Sequence, residues 1–118
     1  MFATANNVGI VVVGTFKIHP DDRQIFRDIV ISHIEETNAK DEALFYTFAQ
    51  DVRDGSVFHI LEGWTDKEHL DRYNVSPEFQ ETLKEVASKV RLLSRDANVY
   101  TIASQEFYSR QSLAGAAM

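Results

Sequence analysis

The 118-residue sequence predicts a single α+β domain whose four-stranded antiparallel sheet has the ferredoxin-like, split β-α-β order. Three observations support this class. One β-branched run precedes a helical segment, two apolar runs flank a short turn that contains Asp54-Gly55, and two helix starts precede a last β-branched run. A chain of this length buries a core without help from disulfides or a structural metal.

The first half of the chain is predicted to form a strand, a helix and a hairpin. Residues 9–19 are rich in β-branched side chains, which favour a strand. Pro20, followed by two aspartates, opens a helix in which apolar residues recur at three- and four-residue spacing up to about Thr37. Residues 44–50 and 57–64 are the second and third strands, and the turn between them predicts a hairpin.

The second half starts at Trp64, the only tryptophan, where the third strand stops. Thr65 and Glu68 form a capping-box pattern, which predicts a short helix that runs to about Asn74. Ser76-Pro77 predicts a further helix start, because serine is a preferred N-cap and proline fits the first helical position.

The C-terminal part is predicted to be a core-facing helix, a strand and a tail. Apolar residues repeat at helical spacing from Phe79 to Leu93, and residues 98–103 have the composition of a last strand. The core of the domain is expected to span about residues 8–104. Residues 1–7 and 109–118 are expected to be loose termini.

The helices of this fold cover one face of the sheet, yet apolar side chains also occupy the other face. Such a patch is too large to leave in water, so a second sheet is expected to cover it, most simply that of an identical partner. The sequence therefore predicts a homodimer through the sheet face. The residues on this face are Val11, Val13, Phe45, Leu61, Tyr100 and Ile102.

Composition excludes several function classes. The formal charge is −6 and the 12 Lys and Arg residues are scattered, which argues against a nucleic-acid partner. There is no cysteine, hence no disulfide, thiolate metal site or cysteine nucleophile. The apolar run at residues 8–13 is too short for a signal segment or a membrane span, so a cytoplasmic location without membrane contact is expected. No metal-ligand spacing and no phosphate-binding glycine loop occurs, and we expect no metal and no cofactor.

Two short segments carry a family resemblance. Glu62-Gly63-Trp64, then a short helix that ends in an aromatic residue, then Ser76-Pro77-Glu78-Phe79, resembles the antibiotic biosynthesis monooxygenase (ABM) domain of the dimeric α+β barrel superfamily. The resemblance covers roughly Val8 to Ser104. It implies a dimer whose two sheets pack into a barrel. It also implies cofactor-independent oxygenation of a quinol or polyphenolic aromatic substrate, with dioxygen as the second substrate.

Three residues are the candidate catalytic groups. Oxygen chemistry without a cofactor needs an electron-rich, deprotonated substrate in a dry aromatic pocket that contains a base. Trp64 is a frequent pocket residue in the family, although a buried indole that only packs is an equal alternative. His33, on the buried stripe of the first long helix, is the best base by position, or else a structurally satisfied histidine. Tyr73, with Asn74 beside it, could orient substrate oxygens.

Further residues are predicted to bind substrate. Tyr46 and Phe48 share one face of the second strand and could line the pocket wall, or form plain core. Glu62 shares the face of Trp64. A desolvated Glu62 would have a raised pKa and could act as a base, whereas a Glu62 paired with an arginine such as Arg91 or Arg95 would be structural, which is the favoured alternative.

The other histidines are expected to lie outside the pocket: His59 at the dimer face or surface, and His69 in solvent. The chain also departs from the family, since many members have histidine where Tyr73 and Glu78 stand. The haem-degrading branch carries a histidine on the later helix. No histidine occurs between Pro77 and Ser104, so haem is not expected.

Two other functions stay open from the sequence, because one fold hosts many chemistries. One is a non-oxidative isomerase or degrading enzyme for a small carbonyl compound, with His33 as its base. The other is a non-catalytic dimer that binds a small hydrophobic ligand.

Overall fold

The protein, described here by a computed structural model for residues 7–39 and 43–108, has the predicted α+β, ferredoxin-like fold. The predicted loose termini lie outside these residues, except Asn7. The elements, in chain order, are strand β1 (Ile10–Ile18), a 3-10 turn (Pro20–Asp22), helix α1 (Arg23–Ala39), strands β2 (Phe45–Gln50) and β3 (Val57–Trp64), helices α2 (Lys67–Asn74) and α3 (Pro77–Lys89), and strand β4 (Leu92–Thr101).

The four strands form one antiparallel sheet in the order β2-β3-β1-β4. In this register Gly14 of β1 lies between Ile60 of β3 and Ala97 of β4. On β2, Tyr46 lies opposite Glu62. Because successive side chains alternate between the two faces of a strand, all five residues point towards the helices.

The core lies between the sheet and helices α1, α2 and α3. Trp64, Phe26 and Ile18 are the largest fully buried side chains. Burial alternates along β1, as a strand with one covered face requires. The helices do not cover β4, since all ten of its residues are exposed. One long side of the space between the layers therefore opens at β4.

The segment before α1 is joined to the segment before β4 by an ion pair between Asp22, which is buried, and Arg91, which is exposed. Arg91 donates to Asp22 from Nε and Nη2, each at 3.0 Å, and from its backbone N at 2.8 Å. These bonds hold the pKa of Asp22 at about 2, well below its ordinary value. Arg91 is thus committed to Asp22 and does not pair with Glu62, as the sequence had suggested it could.

The helix starts confirm one predicted cap and correct the other. Ser76 caps α3, because its Oγ accepts from the backbone N of Phe79 at 3.3 Å. Helix α2 is capped by Asp66 and not by Thr65: the Asp66 carboxylate accepts from the backbone N of His69 at 2.9 Å. A carboxylate also interacts favourably with the positive end of the helix dipole, which explains its choice over the neighbouring hydroxyl.

The prediction for the C-terminal elements was wrong in its boundaries. Helix α3 ends at Lys89, and Val90 is already extended, so Leu93 belongs to β4 and not to the helical stripe. Strand β4 begins at Leu92, six residues before the predicted start, because β1 continues to Ile18 and pairs with it there. The polar segment at residues 94–96 hid this strand, since it has no apolar alternation to reveal it.

The second face of the sheet carries the predicted apolar side chains. Val13 and Tyr100 are 43% and 51% exposed, and Val11, Leu61 and Phe45 are half-buried. Phe45 lies over Gly63, where an added Cβ would come within 2.3 Å of its ring. Within the described residues, no helix has both the length and the apolar character needed to span a membrane.

Candidate functional site

A cavity of about 150 Å³ lies between the sheet and the helices, on the side that opens at β4. On the sheet side it is lined by Ala97 and Val99 of β4, together with Val12 and Ile60 of the neighbouring strands. Most of the walls are aliphatic or aromatic, including Phe16 and Phe48. The polar residues that line it are His33, Tyr46, Glu62, Asn74, Thr82 and Arg95.

A chain of hydrogen bonds, which we call the relay, runs beside the cavity through Tyr46, Tyr73, His33 and Thr82. Tyr46, His33 and Thr82 line the cavity, whereas Tyr73 does not. The hydroxyl of Tyr73 donates to Tyr46 Oη at 2.8 Å, and it is also hydrogen-bonded to His33 Nε2. On the other side of the imidazole, Nδ1 is hydrogen-bonded to Thr82 Oγ1 at 3.0 Å. The relay joins residues from β2, α2, α1 and α3.

The relay can be ordered in two directions, because each hydroxyl carries one proton and a neutral imidazole carries one N–H. In one direction Thr82 donates to His33 Nδ1. The imidazole then donates from Nε2 to Tyr73, which donates to Tyr46. In the other direction Tyr46 donates to Tyr73, which donates to His33 Nε2. Nδ1 then donates to Thr82, whose hydroxyl is within 3.1 Å of the backbone carbonyl oxygen of Glu78. A proton that moves along the relay exchanges one arrangement for the other.

The relay connects the cavity to the outside of the protein. His33 and Thr82 line the cavity, and they also line a shallow groove of about 810 Å³ between α1 and α3. His33 itself is only 5% exposed. Its imidazole therefore forms part of the partition between the inner space and the groove, which is the position of a group that passes protons outward.

Both tyrosines of the relay are held as neutral phenols. Burial is the main reason that the pKa of Tyr46 lies far above its ordinary value, and the nearby Tyr73 and Glu62 raise it further. Burial likewise raises the pKa of Tyr73, although the hydrogen bond with Tyr46 opposes this. Neither hydroxyl is a base by itself, so a proton accepted from a ligand must pass on to His33.

Glu62 and Trp64 form a second polar pair on the same strand face. The indole Nε1 of Trp64 donates to Glu62 Oε1 at 2.9 Å. Burial raises the pKa of Glu62 to about 7, while the Trp64 bond and the positive charge of Arg95 act against this rise. Glu62 has its partner in Trp64, two residues further along its own strand. Its carboxyl group titrates near neutrality at the wall of the cavity.

Trp64 is fully buried and lies behind the cavity wall. Its ring centroid is 4.9 Å from that of Tyr73, and Tyr73 is in turn 4.7 Å from Phe79. The indole therefore holds Tyr73 in place by ring packing and Glu62 by a hydrogen bond. It does not itself line the cavity, in contrast to the pocket-forming role expected from the sequence.

The other predicted binding residues lie at the cavity as well. Phe48 packs on Tyr46 with a centroid distance of 6.0 Å, and Asn74 lines the opposite side from the end of α2. Two polar residues that line the cavity were not identified from the sequence. Thr82 was not named, and Arg95 was considered only as a partner of Glu62. Thr82 was detectable from its spacing of three residues after Phe79 on a core-facing helix.

The remaining histidines lie away from the cavity. His59 is exposed on the second sheet face, where Asp51 Oδ2 is 2.8 Å from its Nε2. His69 lies on the outside of α2, with its Nδ1 2.7 Å from Asp66 Oδ1. Within residues 7–39 and 43–108, no three His, Asp or Glu side chains gather closely enough to hold a metal ion.

Comparison with known proteins identifies related chains. The sequence profile of one family, antibiotic biosynthesis monooxygenase, matches residues 9–85. The uncharacterized protein sll1783 of Synechocystis sp. is 27% identical over 99 residues, which cover 82% of this chain and 65% of that protein. The chain thus spans just under two thirds of the length of this curated relative.

Solved structures share the fold over most of their length. A conserved protein from Methanosarcina mazei Go1 has a TM-score of 0.72 at 25% identity, covering 81% of this chain and 94% of that one. A protein from Deinococcus radiodurans that carries the name of the same family has a TM-score of 0.77 at 14% identity. That alignment covers 86% of this chain and 99% of the other, and at this identity it speaks for the fold alone.

Proposed function

Because the chain belongs to the antibiotic biosynthesis monooxygenase family, we propose that it catalyses the cofactor-independent monooxygenation of a quinol or polyphenolic aromatic. The observation that carries this proposal is the relay, which leads from the wall of an apolar cavity to the outer groove. An electron-rich phenol reacts with dioxygen much more readily as its anion. A site for this chemistry therefore has to remove one proton from a substrate that it keeps dry.

The relay supplies the proton acceptor in this proposal. A substrate hydroxyl placed at Tyr46 Oη gives its proton to Tyr46 while Tyr46 passes its own to Tyr73, and Tyr73 passes its own to His33 Nε2. Neither tyrosine accumulates as an anion, in keeping with their raised pKa values. The positive charge ends on the imidazole, which exchanges protons with the groove through Thr82.

The oxidation is balanced without a reductant. For a hydroquinone, the substrate anion gives an electron to dioxygen and the two radicals combine at a ring carbon. Cleavage of the O–O bond then leaves one oxygen atom on the ring and releases the other as water. Hydroquinone and dioxygen thus become hydroxyquinone and water, and all four electrons come from the substrate. The proton on His33 returns to the leaving oxygen.

Supporting roles fall to the residues around the relay. Trp64 keeps Tyr73 in place by ring packing and holds Glu62 by its N–H. Phe48 forms part of the apolar wall, and Asn74 offers a side-chain amide to a substrate oxygen. Glu62, protonated in part at neutral pH, can donate to or accept from the ligand.

We also propose that the protein is a homodimer that packs through the second sheet face, as the exposed Val13 and Tyr100 favour. Leu61→Asp, in the middle of this face, should give a monomer in sedimentation experiments. Val52→Asp is the control, since Val52 is fully exposed in the turn before β3. A Leu61→Asp protein with unchanged mass would contradict this interface. The cytoplasm as its compartment stays a prediction.

The proposed activity is tested by oxygen uptake of chelator-treated protein with a panel of hydroquinones and polyphenols. We expect one dioxygen consumed per product, with one atom of ¹⁸O₂ in the product and no accumulated hydrogen peroxide. His33→Gln should lose most of this uptake, whereas His69→Gln, which changes an outer histidine, should keep it. Absence of uptake with every substrate would refute the oxygenase. Turnover of a small carbonyl compound without oxygen would then favour the non-oxidative enzyme.

A further inference from the structure

Arg95 stands at the mouth of the cavity, on the strand that the helices leave uncovered. Its guanidinium carbon is 5.4 Å from the centre of the Phe16 ring, and its side chain lines the cavity together with Ala97 and Val99. In the part of the chain that the structure describes, Arg95 forms no ion pair with a carboxylate. Arg91 differs from it, because both carboxylate oxygens of Asp22 accept from one edge of the Arg91 guanidinium.

The charge of Arg95 acts inside the cavity. It lowers the pKa of Glu62 and that of Tyr46, although burial outweighs it at both groups. The guanidinium therefore lies within electrostatic range of Glu62 and Tyr46, and its side chain is part of the cavity lining. A guanidinium without a fixed counter-ion, beside apolar walls, is suited to bind an oxyanion through paired N–H groups.

The size of the cavity limits what can lie behind this cation. An apolar cavity of about 150 Å³ holds one benzene ring. The volume here is about 150 Å³, and Val12, Ile60 and Ala97 bound it on the sheet side. A second fused ring inside this volume would have to displace core side chains that line the cavity, such as Phe26 and Val86.

We propose that the cavity binds a single-ring aromatic whose ionised oxygen, a phenolate or a carboxylate, pairs with Arg95 at the mouth. This inference rests on the proposed function and narrows its substrate class to monocyclic phenols and quinols that carry a negative charge when bound. The ring enters first and lies against Phe16 and Phe48, whose rings pack on each other with centroids 5.7 Å apart, and a second oxygen on the far side of the ring reaches the relay at Tyr46.

Binding without turnover tests this assignment, by calorimetric titration in oxygen-free buffer at pH 8. The probes are 4-nitrophenol, ionised at this pH, benzoate, neutral benzyl alcohol and the two-ring 2-naphthoate. We expect the single-ring anions to bind at least about tenfold more tightly than benzyl alcohol and 2-naphthoate. Comparison of 4-nitrophenol with benzoate shows which oxyanion the site prefers.

Arg95→Gln should weaken the binding of the anions about tenfold to a hundredfold and leave benzyl alcohol unchanged, while Arg95→Lys should restore part of the loss. Arg72→Gln, which removes an equal charge on the outside of α2, should have no effect. Unchanged anion affinity in Arg95→Gln, or 2-naphthoate bound as tightly as benzoate, would overturn the proposal. If anion binding depends on Arg95 but no substrate gives oxygen uptake, the proposed oxygenase activity is refuted and this inference stands. If oxygen uptake occurs but anion binding does not depend on Arg95, this inference is refuted and the oxygenase stands.

Discussion

The unfolding free energy of Glu62→Gln should increase relative to that of wild type as the pH rises through neutrality. Glutamine keeps the size of the side chain and an oxygen that accepts from Trp64 Nε1, so the change removes the ionisable proton and little else. In the folded protein the pKa of Glu62 is raised from 4.5 to about 7, chiefly by burial. The unfolded chain gives up this proton near pH 4.5.

The sign of the effect follows from which state holds the proton. Between pH 4.5 and about 7 the folded state keeps the Glu62 proton and the unfolded state has lost it, so stability falls as the pH rises. Each pKa unit corresponds to 1.36 kcal/mol. Wild type should therefore lose about 3 kcal/mol of unfolding free energy relative to Glu62→Gln across this window, and the difference should stay constant above pH 8.

Urea denaturation at a series of pH values measures this difference, with the fluorescence of the sole tryptophan as the signal. The protein concentration is kept fixed, because dimerisation changes apparent stability. Subtracting the stability curve of one protein from that of the other removes the contributions of the other titrating groups. One of these is Asp22, whose lowered pKa contributes stability that is lost in acid. Glu68→Gln, an exposed change on α2, should give a flat difference. A flat difference for Glu62→Gln as well would refute the buried, neutral carboxyl group.

Three further predictions concern the relay, the cavity and the sheet. Tyr73→Phe keeps the ring packing but breaks the relay, so oxygen uptake should fall about a hundredfold. Stability should fall by about 1–3 kcal/mol, because His33 and Tyr46 lose a buried hydrogen-bond partner. Tyr108→Phe, whose side chain is 94% exposed, is the control, and equal rates in Tyr73→Phe and wild type would contradict a proton path through Tyr73. Ala97→Leu fills the cavity, and benzoate affinity in calorimetric titration should fall at least about tenfold without loss of stability; unchanged affinity would place the ligand elsewhere. Gly63→Ala puts a Cβ 2.3 Å from the Phe45 ring, so the unfolding free energy measured in urea should fall by about 1–3 kcal/mol. An unchanged unfolding free energy would mean that the ring moves freely.

Much of the relay was predictable from residue spacing. Period two places Tyr46 on the helix-facing side of its strand, and helical spacing places His33 on the buried stripe of α1. The contact of Tyr73 with both residues was not predictable, because it depends on the angle at which the short helix α2 crosses the end of the sheet. The separations of 27 and 40 residues along the chain carry no local signal of it.

Two errors have identifiable causes. Arg91 or Arg95 was expected to pair with Glu62, because buried carboxylates need partners. Arg91 is bound to Asp22, and Arg95 acts on Glu62 through its charge, while the hydrogen-bond partner of Glu62 is the indole of Trp64, two residues along the same strand face. Arg95 was not recognised as a cavity residue because its strand was predicted to start three residues after it. A strand exposed on both faces has no hydrophobic alternation, so no periodicity argument could have found it.

The opening of the cavity and the exposure of β4 have one structural origin. Three helices cover a sheet of four strands, and the fourth strand is left without a helix above it. The core below β1 and β3 is closed by Ile10, Ile60 and their neighbours. The helix-facing positions of β4 add only a few contacts to it, such as that of Arg95 with the Phe16 ring. Side chains at these positions can therefore change in length and charge with little loss of stability, while they alter the size and charge of the cavity mouth. The proposed function therefore places selectivity on β4, and proton transfer on Tyr46 of β2 together with residues of the three helices.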